Sequence, residues 1–346
     1  MRPVHFATTH DGLSLAWSRS GTGPSLVKAA NWLTHLEYDF GSPVWSHWAA
    51  FFETNFDYVR YDERGCGLSD RATGQLDLDS WTDDLTRIVE AAAPPKPFVL
   101  FAMSQGTGAA VRYAARYPEH VSHLIVIGGY ARGAYCRGDD KGAALYRAMV
   151  DVFRAGFDES NPAFREVFTK RFVPKEDPEK IAWFNDLCRR ATNADVGAQL
   201  IDARGWMDAS DALSKVNCPT LVLHARDDGV APLSEGRYLA QHIPGATFQV
   251  LDSQNHILQA CEPAWDAACQ AMLDFVGRQQ ETEDYGLTPR EQAILAEIAN
   301  AKSNKDIARV LNVSEKTVRN HATHIFAKLG VTTRQEAIVK MQQPGK

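Results

Sequence analysis

Three side chains in this sequence could together activate a hydroxyl for attack on a carbonyl. Ser104 sits in Ala102-Met103-Ser104-Gln105-Gly106, directly after the apolar run Phe98-Val99-Leu100-Phe101. A serine hydroxyl is a weak nucleophile until a base takes its proton. His256, in Leu251-Asp252-Ser253-Gln254-Asn255-His256, is the right residue type for that base. The imidazole in turn needs an acid to orient it and to stabilise the charge it acquires. Two neighbouring acids close the stretch Thr220-Leu221-Val222-Leu223-His224-Ala225-Arg226-Asp227-Asp228; Asp228 is favoured and Asp227 is the alternative. A small-x-Ser-x-Gly pentapeptide is a weak signal alone and also fits a plain strand-to-helix turn. Its setting strengthens it: an apolar strand precedes, a helical pattern follows, and the small residues Ala102 and Gly106 let strand and helix approach closely.

Each of the three residues lies just past a strand-like run, so a parallel sheet would converge them on one edge. Such runs occupy residues 5–9, 13–18, 26–30, 58–61, 98–102, 123–127, 220–224 and 248–251, and helical patterns occupy 80–92, 106–117, 233–242 and 265–278. Continuous apolar strands alternating with helices predict an α/β architecture with a mostly parallel sheet covered on both faces. His10-Asp11-Gly12, between the first two runs, predicts an antiparallel hairpin. Over about 130–216 the alternation gives way to helical patterns carrying ten large aromatics: Tyr135, Tyr146, Phe153, Phe157, Phe164, Phe168, Phe172, Trp183, Phe184 and Trp206. This predicts a helical lid over the sheet edge, with a minority of those rings lining a ligand cavity and the rest serving as core.

The chain has 346 residues, enough for two domains, and its 45% hydrophobic content permits a large core and argues against disorder. No run of 18 apolar residues predicts a membrane span, and the N-terminus lacks the apolar stretch of a signal peptide. The six cysteines are scattered with no C-x-x-C, which fits reduced cytoplasmic thiols better than a disulfide frame or a zinc site. Neither a metal nor a cofactor is expected. The net charge of −6 conceals an asymmetry. Residues 286–346 hold ten Lys or Arg against five Asp or Glu, and the remainder holds 27 basic against 38 acidic residues. A basic tail on an acidic body points to a polyanionic partner for the tail.

Residues 1–280 resemble the α/β-hydrolase fold, on the Asp-Gly hairpin, the turn Asp62-Glu63-Arg64-Gly65-Cys66-Gly67-Leu68-Ser69, the serine elbow and the Asp…His pair. The resemblance implies an oxyanion hole from the amide of Gln105 and one from the loop Ala29-Ala30-Asn31-Trp32, with Trp32 the candidate. Asn31 and Ala102 stand where the family often has glycine; asparagine tolerates a left-handed backbone and alanine is still small. His35, near the same loop, faces either the pocket or the surface. The glycine-rich turn reads as structural.

The tail carries a second pattern. An acidic linker over 281–286 leads into Leu287-Thr288-Pro289-Arg290-Glu291, a capping box. In SNKDIARVLNVSEKTVRNH, residues 303–321, Ser303 caps a short helix, Asn312-Val313 turns, and Ser314 caps a second helix to about Leu329. Two helices and a tight turn make a helix-turn-helix. Residues 286–342 are similar to the LuxR-type DNA-binding domain, with Ala301 where glycine is usual. A small all-α domain over 287–346 is therefore expected. On its second helix Val318, Ala322, Ile325 and Leu329 share the core face. The resemblance implies that Arg319, Asn320 and Thr323 meet base edges of double-stranded DNA, that Lys305, Lys316 and Thr317 meet phosphates, and that a final helix from Arg334 pairs two copies in a homodimer. Two functions are compatible with these features. One is a regulator whose hydrolase-like domain senses a small apolar ester- or lactone-like ligand and cleaves it slowly. The other is a serine esterase with an accessory DNA-binding tail. The complete recognition helix favours the regulator.

Overall fold

The computed structural model describes residues 2–32, 34–174, 176–280, 287–299, 302–311 and 313–342. The chain divides into two compact units, Met1–Met272 and Leu273–Lys346. The linker expected at 281–286, and Ala301, lie outside the described residues.

The first unit is built on one sheet of eight strands: β1 (His5–Thr8), β2 (Ser14–Ser20), β3 (Ser25–Lys28), β4 (Asp57–Tyr61), β5 (Phe98–Met103), β6 (Val121–Ile127), β7 (Thr220–Ala225) and β8 (Thr247–Leu251). Their order is β1-β2-β4-β3-β5-β6-β7-β8. β1 pairs antiparallel with β2, and β2 with β4; every later pairing is parallel. β5 lies between β3 and β6, and all six of its residues are buried. That is why its sequence is continuously apolar rather than alternating.

Ten helices accompany the sheet: α1 (Ser46–Asn55), α2 (Leu78–Ala92), α3 (Gly106–Arg116), α4 (Asp140–Gly156), α5 (Ala163–Thr169), α6 (Pro178–Ala191), α7 (Ala194–Gly205), α8 (Ser210–Leu213), α9 (Leu233–His242) and α10 (Pro263–Gln280). Helices α4 to α8 fall consecutively between β6 and β7, where the lid is expected. α3 buries Ala110, Val111, Tyr113 and Ala114 in a core shared with Val27, Leu100, Val126 and Val222, and Ala109 in a smaller cluster with Leu78, Trp81, Tyr130 and Met207. The glycine-rich turn after β4 is a structural hub. Asp62 accepts the amides of Leu36 and Leu68 at 3.1 and 2.9 Å, and Arg64 is clamped by Asp84 at 2.6 Å and Asp11 at 2.9 Å.

Among the described residues the second unit comprises the end of α10 from Leu273 on, then α11 (Pro289–Ala299), α12 (Asn304–Val310), α13 (Glu315–Leu329) and α14 (Arg334–Gln342). Reciprocal bonds between Thr288 and Glu291 form the capping box. Ser303 accepts the Asp306 amide and Ser314 the Thr317 amide, starting α12 and α13. Ile294, Ile298, Ile307, Val318, Ile325 and Leu329 pack as this unit's own core. No helix of the described residues is long and apolar enough to cross a membrane.

Candidate functional site

β5 delivers Ser104 onto a turn in which its φ is +55°, a left-handed value unusual outside glycine. The Ser104 amide donates to the Ile127 carbonyl at 3.1 Å, and its own carbonyl accepts from Thr107 at 3.2 Å, so β6 and α3 both hold the strained residue. Gly106 has no room for a side chain: a Cβ there would lie 2.6 Å from the carbonyl of Ala30. The loop after β3 therefore presses on the turn and brings Trp32 beside Ser104. Asn31 does not use the left-handed backbone that asparagine tolerates. Its side-chain oxygen instead accepts from buried Lys28 and its amide nitrogen donates to the Trp32 carbonyl. Burial pushes the Lys28 ammonium down to about 7.

Asp228, not Asp227, meets the histidine. Its Oδ2 lies 2.7 Å from Nδ1 of His256, while Oδ1 accepts the amides of Val230 and Ala231 at 2.7 and 2.9 Å. Asp227 is exposed. Burial opposes the charge on Asp228, yet the His256 imidazole and the Ala231 amide hold its carboxyl below the ordinary carboxylate value. His256 is buried and its amide donates to the Phe172 carbonyl at 2.9 Å. Gly128, at the end of β6, backs the pair: a Cβ there would lie 3.0 Å from the imidazole and 3.3 Å from the Asp228 carboxylate. The other ring nitrogen, Nε2, is buried without a hydrogen-bond partner. It is the free position from which a base would act.

Ser104, Gln105 and Trp32 line one cavity of about 40 Å³, space for a few water-sized groups. Only three of the ten lid aromatics, Tyr146, Phe168 and Phe172, reach its wall. Phe153 serves as packing, edge-on to Trp32 at 5.4 Å. Three arginines also line it: Arg137, Arg171 and Arg204. They escape sequence reasoning because an arginine within a helical pattern reads as a solvated surface residue. An adjoining cleft of about 580 Å³ shares Ala134, Arg137, Tyr146, Met149, Arg171 and Val230 with the cavity. His35 lines neither space; its Nδ1 accepts the amides of Glu37 and Tyr38. Among the described residues no cluster of three or more His, Cys, Asp or Glu could hold a metal ion.

In the second unit α13 is two-faced. Val318, Ala322, Ile325 and Leu329 are buried, whereas Lys316, Arg319, Asn320 and Thr323 are exposed and Thr317 is half-buried. Thr323 donates its hydroxyl to the Arg319 carbonyl at 3.1 Å, which leaves its oxygen lone pairs free to accept. Lys305, on α12, is exposed.

Residues 38–263 match the model of the alpha/beta hydrolase fold, and residues 286–341 match that of bacterial regulatory proteins of the luxR family. The non-heme chloroperoxidase CPO-A1 of Kitasatospora aureofaciens is 25% identical over 277 residues, covering 78% of this chain and 98% of that protein. The transcriptional regulatory protein YhcZ of Bacillus subtilis is 55% identical over 53 residues, covering 15% of this chain and 25% of that one. Among solved structures, an esterase from Exiguobacterium antarcticum superposes with a TM-score of 0.64 at 21% identity, covering 79% of this chain and 98% of the esterase. The chain thus belongs to the alpha/beta hydrolase fold family and carries, at its C-terminal end, a helix-turn-helix domain of the luxR type.

Proposed function

We propose that this chain is a cytoplasmic, ligand-responsive transcriptional regulator that binds double-stranded DNA as a homodimer. The observation that carries this reading is the outer face of α13. Lys316, Arg319, Asn320 and Thr323 stand in solvent there with no role in the unit's core. Arg319, Asn320 and Thr323 read base edges; Lys305, Lys316 and Thr317 hold phosphates. α14 pairs the two copies, which calls for half-sites centred about 10 base pairs apart. DNA selected from a random pool by the full chain provides the test. Arg319→Ala costs about 1–3 kcal/mol at the selected site and relaxes one base position, whereas Lys305→Ala weakens all sequences alike. Equal losses from both on selected and random DNA would remove base reading from Arg319.

A second reading, hydrolysis, is favoured by the 2.7 Å pairing of His256 with Asp228 and is compatible with the first. The ligand is a small ester or lactone. Ser104 Oγ adds to its carbonyl carbon while Nε2 of His256 takes the hydroxyl proton, and the amides of Gln105 and Trp32 stabilise the resulting oxyanion. The proton passes to the departing alkoxide, and water then frees the acyl group from the serine. The similarity to an esterase supports this chemistry. A fluorophosphonate probe labels Ser104 if the reading holds; no labelling together with no turnover of a p-nitrophenyl ester makes the serine a wall of a sensing pocket.

A further inference from the structure

We infer that the ligand taken up beside Ser104 carries a carboxylate, and that Arg171 receives it at the neck between the cavity and the adjoining cleft. This rests on the reading of that cavity as the ligand site. The cavity lining contains three guanidiniums and no carboxylate. Their partners differ. Arg204 is paired with Glu63, although its Nε and Nη1 are buried without partners. Arg137 stands 4.0 Å from Glu235, which Arg132 holds at 2.7 Å. Arg171 forms no ion pair among the described residues. Its Nε donates to the Gly229 carbonyl at 3.0 Å, its Nη2 lies 3.5 Å from the Val230 carbonyl, and its Nη1 meets the sulfur of Met149, a weak acceptor.

The acids of the outer cleft are each committed elsewhere. Asp139 caps α4 through the Gly142 amide at 3.0 Å, Asp228 holds His256, and Glu235 holds Arg132. A guanidinium partly withdrawn from water, with no ion pair of its own and only the more distant Asp228 charge in its favour, stays costly until an anion arrives. Consistent with that, burial pushes Arg171 below the ordinary arginine value. Its planar fork matches the two oxygens of a carboxylate. Size agrees with position. The inner cavity of about 40 Å³ admits a reacting carbonyl group but not a whole ester, so the remainder of the ligand extends past Arg171 into the cleft of about 580 Å³.

The test is isothermal titration of the full-length Ser104→Ala chain, in which binding is separated from cleavage. The probes are the monoethyl esters of succinic, glutaric and adipic acid, each beside its neutral isostere in which a carboxamide replaces the acid. At least one acid should bind about 10- to 100-fold tighter than its amide, the loss typical of one charge-assisted contact. In Ser104→Ala/Arg171→Gln that preference should vanish with amide binding retained, and Arg171→Lys, which keeps the charge without the fork, should restore part of it. Should Arg171→Gln fail to fold by circular dichroism, the lysine variant decides alone: it must lower the preference without abolishing it. Equal affinity for acid and amide, an unchanged preference in either Arg171 variant, or no binding of any acid overturns the inference. The hydrolytic reading fails separately, through absent fluorophosphonate labelling of the Ser104 chain, and leaves the acid preference standing.

Discussion

His256 has one ring nitrogen committed to Asp228 and the other buried with nothing to bond. An imidazole held that way costs stability unless a proton donor arrives at Nε2, and in the hydrolytic reading proposed above that donor is the Ser104 hydroxyl. His256→Ala should therefore lower fluorophosphonate labelling of Ser104 by about 10²–10⁴-fold, the usual worth of a positioned base. Labelling rates of purified chains check this, and a rate unchanged by the substitution would show that Ser104 reacts unaided. Asp228→Asn keeps the size but removes the charge, and should slow labelling without unfolding the chain. In the other unit, Lys328 and the cap at Thr288 hold the Glu291 carboxyl down to about 2 against an ordinary 4.5. A depressed acid contributes stability above its unfolded value and loses it as pH falls towards the folded one. The helical unit should accordingly weaken between about pH 4.5 and 2, and Glu291→Gln should flatten that part of its acid melt. A melt with the same slope in both chains would assign acid sensitivity elsewhere.

Elements matter because none of these residues has its geometry alone. The turn between β5 and α3 is pressed by the carbonyl of Ala30, so Gly106→Ala should push the loop after β3 away. Overpacking of this kind costs about 1–3 kcal/mol, and here it should also displace Trp32 and abolish labelling; a thermal melt and the probe together check both effects. The same elements explain what the sequence could disclose. All eight strand-like runs agree with β1 to β8 within two residues at each end; β5 and β7 stand out because a parallel strand buried on both faces must be apolar throughout, whereas the mostly exposed, antiparallel β1 is legible from the Asp-Gly turn that follows it. α13 is legible from its cap at Ser314 and its 3.6-residue apolar spacing. α1 escapes notice: Trp45, at its N-cap, makes no side-chain cap bond, and the buried stripe Trp45, Trp48, Ala49 and Phe52 is masked in the sequence by its apolar neighbours Ala50 and Phe51. At the site, Ser104, Asp228 and His256 are legible because each follows a strand. Between the two neighbouring acids the sequence favours Asp228, the one that meets His256; what it does not display is that the Val230 and Ala231 amides capture that carboxylate. Arg171 is invisible for a different reason: its significance is the absence of a carboxylate partner, which no linear sequence can display.

At the scale of the whole molecule, ligand and DNA influence each other only as far as the ligand prefers the DNA-competent arrangement, ordinarily about 1–3 kcal/mol. If cleavage resets the signal, Ser104→Ala should respond to a pulse of ligand as the parent does but hold the response, whereas the parent decays. If acylation is itself the trigger, the same substitution should abolish the response with DNA affinity intact. Operator occupancy followed in time distinguishes these outcomes, and superimposable courses confine the serine to shape. Among the described residues the sheet's core and the helical unit's core have no member in common. Heat absorbed on warming should then arrive in two peaks, a large one from the sheet and a small one from the helices, moved independently by Gly106→Ala and Glu291→Gln. No single free energy of unfolding describes such a chain, and if it is the ligand-responsive regulator proposed above, a chain whose hydrolase-fold half has already melted still occupies its DNA, deaf but bound.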